Sequence, residues 1–118
     1  MCVNLSDQDL EAYFETLQQR GKNISSNKKT QEMANIFHVL GNETRLTIVK
    51  LLNQKDYCVC ELEALLDKNQ SSISHHLRSL GKIGLIRGIK KGYFTHYELI
   101  NDQFQKYIEL INQDFLNE

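Results

Sequence analysis

The hydrophobic pattern of this chain changes period at Gly84. Before it, apolar residues recur at helical spacing; after it, the spacing becomes that of strands. Leu85-Ile86-Arg87-Gly88-Ile89 and the run Tyr93–Leu99 read as two strands. Lys90-Lys91-Gly92 between them reads as a hairpin loop with glycine in the left-handed position. Asn101 then caps a last helix over 102–116, with Phe104, Tyr107, Ile108, Ile111 and Phe115 on one face. The fold class that follows is mainly α with one β-hairpin.

Upstream of Gly84 the pattern is helical throughout. Ser6 with Asp9 forms a capping box, and Leu10, Tyr13, Phe14 and Leu17 mark an amphipathic helix over 7–20 that Gly21 ends. Residues 21–29 are polar and aperiodic and read as a connection. Thr30 caps a second helix with Met33, Ile36, Phe37 and Leu40 on its apolar face, and Gly41 suits the left-handed position beyond its end. Asn42 caps a third, buried through Leu46, Ile48, Val49, Leu51 and Leu52. A break at Gln54-Lys55-Asp56 precedes a short helix or helix start from Cys58 to Leu66. Asp67-Lys68-Asn69 is a turn, and Gln70–Lys82 is a helix with Ile73, Leu77 and Leu80 facing inward. The 118 residues contain no proline, where about six would be average, so the strongest helix breaker is missing.

That length holds one domain over 1–118 and excludes a two-lobed enzyme. No apolar run approaches the roughly 18 residues of a membrane span, and the N-terminus lacks a secretory pattern. Three cysteines are too few for a disulfide framework and suit thiols in a reducing cytoplasm. The net charge of −1 hides an asymmetry. Between Lys68 and Tyr97 there are six basic residues and no acidic one, leaving eight basic against fifteen acidic elsewhere. A split of this kind points to a surface that meets a polyanion.

Short helix, three-residue turn, helix and basic hairpin is the layout of a winged helix-turn-helix. With Ile73, Leu77 and Leu80 turned in, Ser71, Ser74, His75, Arg78 and Lys82 turn out. Short side chains allow close approach to base edges, and cations reach phosphates. The expected DNA-contacting set is Gln70, Ser71, Ser72, Ser74, His75, Arg78 and Lys82 on the helix, with Arg87, Lys90 and Lys91 on the wing. His76 falls between Ile73 and Leu80 and reads as a partly buried helix residue; His38 and His96 have no spaced partner, and Tyr57 reads as packing.

Leu40-Gly41-Asn42-Glu43-Thr44-Arg45-Leu46-Thr47-Ile48, the stretch Gln70–Leu80 with its Ser-His-His-Leu, and the hairpin Gly84–Leu99 resemble the ArsR/SmtB family of metal-sensing repressors. The resemblance covers roughly Ala34 to Leu99. It implies a homodimer, paired through the helices at 7–20 and 102–116, that binds a palindromic operator in double-stranded DNA and releases it on sensing a ligand. It implies no membrane role and no cofactor for DNA binding itself.

Cys58-Val59-Cys60 is the sharpest chemical feature. Side chains at i and i+2 point about 200° apart on a regular helix, so two thiolates share an ion only where the backbone is extended or at the start of a helix. A helix N-terminus also lowers a thiol pKa. In the family, this segment resembles a thiolate site on the first helix of the helix-turn-helix. Some arsenic sensors add a cysteine three residues on, where this chain has Glu63. Others complete the site from the partner's N-terminal arm, a role Cys2 can fill. The implied inducer is a thiophilic ion, arsenite or antimonite, or cadmium, lead or bismuth, at Cys58, Cys60 and Cys2. The family's second site, on the last helix, is absent, because 102–118 has no histidine. Two alternatives stay open: a repressor of the same fold responding to thiol oxidation or reactive sulfur, and a winged-helix protein-interaction module. An enzyme is not supported, since no glycine-rich phosphate loop or spaced acid pair is present.

Overall fold

A computed structural model describes residues 6–116. Cys2 lies outside them. The elements are α1 (Asp7–Ser25), α2 (Lys28–Leu40), α3 (Glu43–Gln54), β1 (Tyr57–Cys58), α4 (Val59–Leu66), α5 (Gln70–Lys82), β2 (Ile86–Lys91), β3 (Phe94–Leu99) and α6 (Asn101–Leu116). Two compact units divide after Glu32.

In the first unit, α1 starts where expected, with the Ser6 hydroxyl accepting from the Asp9 amide. It does not stop at Gly21. Glycine in a helix costs only about 1 kcal/mol against alanine, and it ends a helix when the backbone turns left-handed after it. Gly21 stays right-handed, and the helix runs on to Ser25, where the Ser26 hydroxyl closes on the Lys22 carbonyl at 2.6 Å. The expected connection over 21–29 shrinks to Ser26 and Asn27, and α2 begins at Lys28 before Thr30. No residue of α1 is buried.

In the second unit, the core gathers Val39, Ile48, Val49, Leu52, Leu62, Ile73, Leu77, Leu80, Ile83, Leu85, Ile86 and Leu99. Each such side chain withdrawn from water is worth about 1.5–3 kcal/mol. Two helix faces differ from expectation. On α2 the buried stripe is Met33, Ile36 and Val39, and Phe37 is about half exposed; on α3, Leu46 is similarly exposed. The stripe has turned by one position on α2, since i, i+3, i+6 satisfies the helical period as well as i, i+3, i+4, i+7. Gly41 is also not left-handed. A Cβ there would stand 2.8 Å from the Phe37 carbonyl oxygen, so the position requires glycine for clearance. Gly41→Ala should lower stability by about 1–3 kcal/mol, read as a fall in thermal midpoint.

The sheet has the order β1-β3-β2, all antiparallel. Register pairs Lys91 with Phe94, so the hairpin loop is Gly92-Tyr93. The expected loop Lys90-Lys91-Gly92 is corrected: both lysines are strand residues, and Gly92 at φ +66° opens a two-residue turn of the kind that suits strand twist. Gly88 is crowded by the Tyr97 ring across the ladder. The Tyr107 hydroxyl donates to the Ile83 carbonyl and ties α6 to the end of α5.

Candidate nucleic-acid interface and thiol site

The helix-turn-helix is built by local signals. α4 ends in Asp67, which takes the left-handed conformation at φ +50°, and the Lys68 amide returns to the Glu63 carbonyl at 3.2 Å. Asn69 then caps α5 through its Oδ1, which accepts from the Ser72 amide at 2.9 Å. Ile73, Leu77 and Leu80 face the core as expected. Gln70, Ser71, His75, Arg78 and Lys82 are exposed, while Ser72 and Ser74 are half-buried. Ser74 and Arg78 border a groove of about 350 Å³ whose other wall is Arg87, Gly88 and Tyr97 of the hairpin. Recognition helix and wing therefore face one open channel.

The wing cations are not equivalent. Arg87 lies opposite Glu98 in the ladder and donates to it through Nε at 2.5 Å. Lys91 comes within 3.7 Å of Asp56, a loose exposed pair of small energy. Lys90 is exposed and makes no ion pair among the described residues.

Sequence reasoning missed Arg45. From the first turn of α3, its Nε donates to the Val39 carbonyl at 2.5 Å, and Nη2 reaches the His38 carbonyl at 3.5 Å. A cation against the last carbonyls of α2 is favourable, because the helix dipole places negative charge there. Its Nη1 meets His76 Nδ1 on α5 at 3.2 Å. One side chain thus joins α2, α3 and α5. No local spacing signals it, because 31 residues separate Arg45 from His76.

His76 is half-buried on α5, as its angular position implied. Burial lowers its pKa, and the Arg45 guanidinium and His75 push the same way. Accepting from Arg45 requires Nδ1 to be unprotonated. The unfolded chain therefore takes up this proton more readily than the folded one. Stability from this group is complete above the ordinary histidine value of 6.5 and falls as pH drops below it. Between pH 7.5 and 5.5 the thermal midpoint should fall further in the wild type than in His76→Gln, which keeps an acceptor but no titrating ring.

At Cys58 the backbone changes from strand to helix. Cys58 is the last residue of β1, paired with His96, and the N-cap of α4, with the extended φ −84°, ψ 168° of a cap. Because Cys58 is outside the helical turn, its sulfur is not thrown to the far side of the helix from Cys60. The two Sγ atoms lie 2.9 Å apart. Cys58 is buried and Cys60 exposed, both as free thiols. Glu61 reaches back to accept from the Cys58 amide at 3.0 Å, which holds its carboxyl below the usual range. The expected lowering of the Cys58 thiol is corrected. Contact with Cys60 pushes it up first and burial adds to that, outweighing the Glu61 amide.

A groove of about 320 Å³ opens at the two sulfurs, walled by Val59 and Glu63 of α4, Gln70 at the head of α5, Tyr93 of the hairpin turn, and Phe94 and Thr95 of β3. Among the described residues no group of three histidine, cysteine or acidic side chains is gathered to hold an ion. The pair of thiols stands alone there, and His38, Glu63 and His96 do not complete it.

Comparison with known proteins bears on the interface. The sequence model described as "Bacterial regulatory protein, arsR family" matches residues 42–87, from the cap of α3 into β2. The cadmium resistance transcriptional regulatory protein CadC of Listeria innocua is 33% identical over 92 residues, covering 77% of each chain. The arsenical resistance operon repressor of Escherichia coli is 45% identical over 65 residues, 54% of this chain and 56% of that one. An ArsR-like transcriptional regulator from Rhodococcus superposes with a TM-score of 0.64 at 26% identity, over 70% of this chain and 78% of that one. The matched segment is the one that carries the helix-turn-helix, and the hairpin beyond it supplies the wing. On this fold, sequence and similarity, the chain belongs to the ArsR/SmtB family of DNA-binding transcriptional repressors.

Proposed function

We propose that this protein is a homodimeric repressor of a palindromic operator, released when a thiophilic metal or metalloid ion binds Cys58 and Cys60. The observation that carries the reading is the 2.9 Å separation of the two sulfurs. A single soft centre with metal–sulfur bonds of about 2.3 Å spans sulfurs that are close neighbours, so a small side-chain rotation opens the pair to hold it. The donor set is soft, and it fits arsenite, antimonite, cadmium, lead or bismuth better than magnesium or calcium. With two donors among the described residues, Cys2 of the partner subunit is the proposed third. The cadmium and arsenical resistance roles in the relatives' names support this class of ion.

The dimer reading rests on exposure. Tyr13, Phe14 and Leu17 of α1 and Ile108 and Phe115 of α6 are each at least 43% exposed, more apolar surface than single scattered residues account for. Footprinting should show two half-sites about 34 Å apart, one turn of the duplex. A single half-site would overturn the dimer.

In this reading Gln70, Ser71, Ser72, Ser74 and His75 approach bases, while Arg78, Lys82, Arg87, Lys90 and Lys91 serve the backbone. Lys90→Ala combined with Lys91→Ala removes four lysines from the dimer and should weaken every duplex alike, reducing the log–log salt slope by about 3.6. Ser74→Ala or His75→Ala should instead relax sequence preference by about 1–3 kcal/mol at one base pair. Titrations between 50 and 200 mM salt, on matched and mismatched duplexes, separate the two effects.

Sulfur-to-metal charge-transfer absorption on adding arsenite, bismuth or cadmium to the reduced protein tests the thiol site. Absence of the band, or an equal band in the Cys58→Ser/Cys60→Ser variant, overturns it. The same sulfur contact supports one rival, a repressor that responds to thiol oxidation or reactive sulfur. Release from DNA by peroxide but not by any of these ions would favour it.

A further inference from the structure

The wing tip carries a ring that the fold leaves open to solvent at the rim of the thiol groove. Tyr93 is fully exposed, which no other large apolar side chain among the described residues is. It is not at the end of a long loop. It occupies one of the two turn positions between the paired residues Lys91 and Phe94, so a tight hairpin fixes where it stands. Lys90 and Lys91 occupy successive positions of β2, and the strand pleat sends successive side chains to opposite faces. The tip is therefore an aromatic ring with a cation on each side of the ribbon. The segment around it, from Lys68 to Tyr97, contains no acidic residue, so the surface suits a polyanion better than a protein of ordinary charge.

A duplex minor groove matches this arrangement. It is about 6 Å wide and bounded on both sides by phosphates. Apolar side chains that enter it wedge between base pairs, unstack a single step and bend the duplex away. We infer that Tyr93 is such a wedge, opening a single base step on the flank of each half-site, with Lys90 on the phosphates of one groove wall and Lys91 on those of the other. The inference rests on the DNA-binding reading proposed above, and it sets α5 in the neighbouring major groove. Pyrimidine–purine steps unstack most cheaply, so DNA that the protein prefers should carry TA or CA at that flank although no hydrogen bond reads it.

The test uses duplexes selected by the full-length wild-type protein from a random-sequence pool. 2-Aminopurine placed at successive flanking positions brightens when its step is unstacked. Wild-type protein should raise the emission several-fold at one flanking step of each half-site. Tyr93→Phe should do the same, and Tyr93→Ala should lose both the signal and about tenfold in affinity, with an unchanged circular dichroism spectrum. Tyr93→Lys should keep affinity within about threefold through an added phosphate contact, yet give no brightening. Wild-type binding without unstacking at any position overturns the wedge alone, as does unstacking that survives Tyr93→Ala. Loss of the signal in Tyr93→Phe overturns it in favour of a hydroxyl contact in the groove. Failure of the wild type to select any duplex overturns the DNA-binding reading with it.

Discussion

Replacing Cys58 or Cys60 with serine is expected to leave operator affinity within about twofold while raising the ion concentration needed for release by about a hundredfold or more. The size follows from linkage of the two donors: once one sulfur holds the ion, the other is already beside it at 2.9 Å. Removing either breaks that close pair and cuts the three-donor site proposed above to one sulfur here and Cys2 of the partner subunit. The substitution is mild for the fold. Serine at the N-cap of α4 with Glu61 three residues on makes a regular capping box, so Cys58→Ser preserves the helix start. Cys60 is exposed. Gel-shift titrations of both variants with cadmium and arsenite read the effect directly. Release at wild-type ion concentrations would remove these thiols from the response.

Leu62→Ala should have the largest effect on stability. Leu62 is completely buried in the middle of α4, within the same core cluster as Ile73 and Leu77 of α5. Truncation removes apolar contact and leaves a cavity, costing about 2–5 kcal/mol. Against a total of about 5–15 kcal/mol that is a large fraction, and the thermal midpoint should fall by about 10–25 °C. Leu65, three residues on, is half exposed, and Leu65→Ala should stay within about 0.5 kcal/mol. Because α4 is the scaffold against which α5 is held, the Leu62 variant should also lose DNA affinity at temperatures where it is still mostly folded. Melting curves by circular dichroism, with DNA binding followed over the same range, check both statements.

Which features were legible in the sequence depended on how local their causes are. The helix Gln70–Lys82 was readable to its ends, since Asn69 caps it locally and Ile73, Leu77 and Leu80 mark its buried face. At Cys58 the sequence states a condition for a shared ion, an extended backbone or a helix start, but carries no local cause for the strand that precedes the helix. The extended backbone there comes from pairing with Tyr97 and His96, far along the chain. Gly21 misled because glycine permits a left-handed turn without requiring one. The wing loop misled because Lys-Lys-Gly and Gly-Tyr serve equally well as hairpin loops until the register is known, and the register is set by which residues of β2 face the core. Arg45 left no trace in local pattern: its partners are two carbonyls and a histidine brought near only by tertiary packing.

The two-residue strand β1 sets an order of events in the making of the protein. Tyr57 and Cys58 acquire their extended form by pairing with Tyr97 and His96, some forty positions later in the chain. While the ribosome is still extending the chain through α5, those partners do not yet exist, and no strand pairing holds Cys58 extended. The strand pairing beside the sulfur pair forms only once β3 has been made. On the function proposed above, the pre-arranged sulfur pair would then be a property of the finished fold.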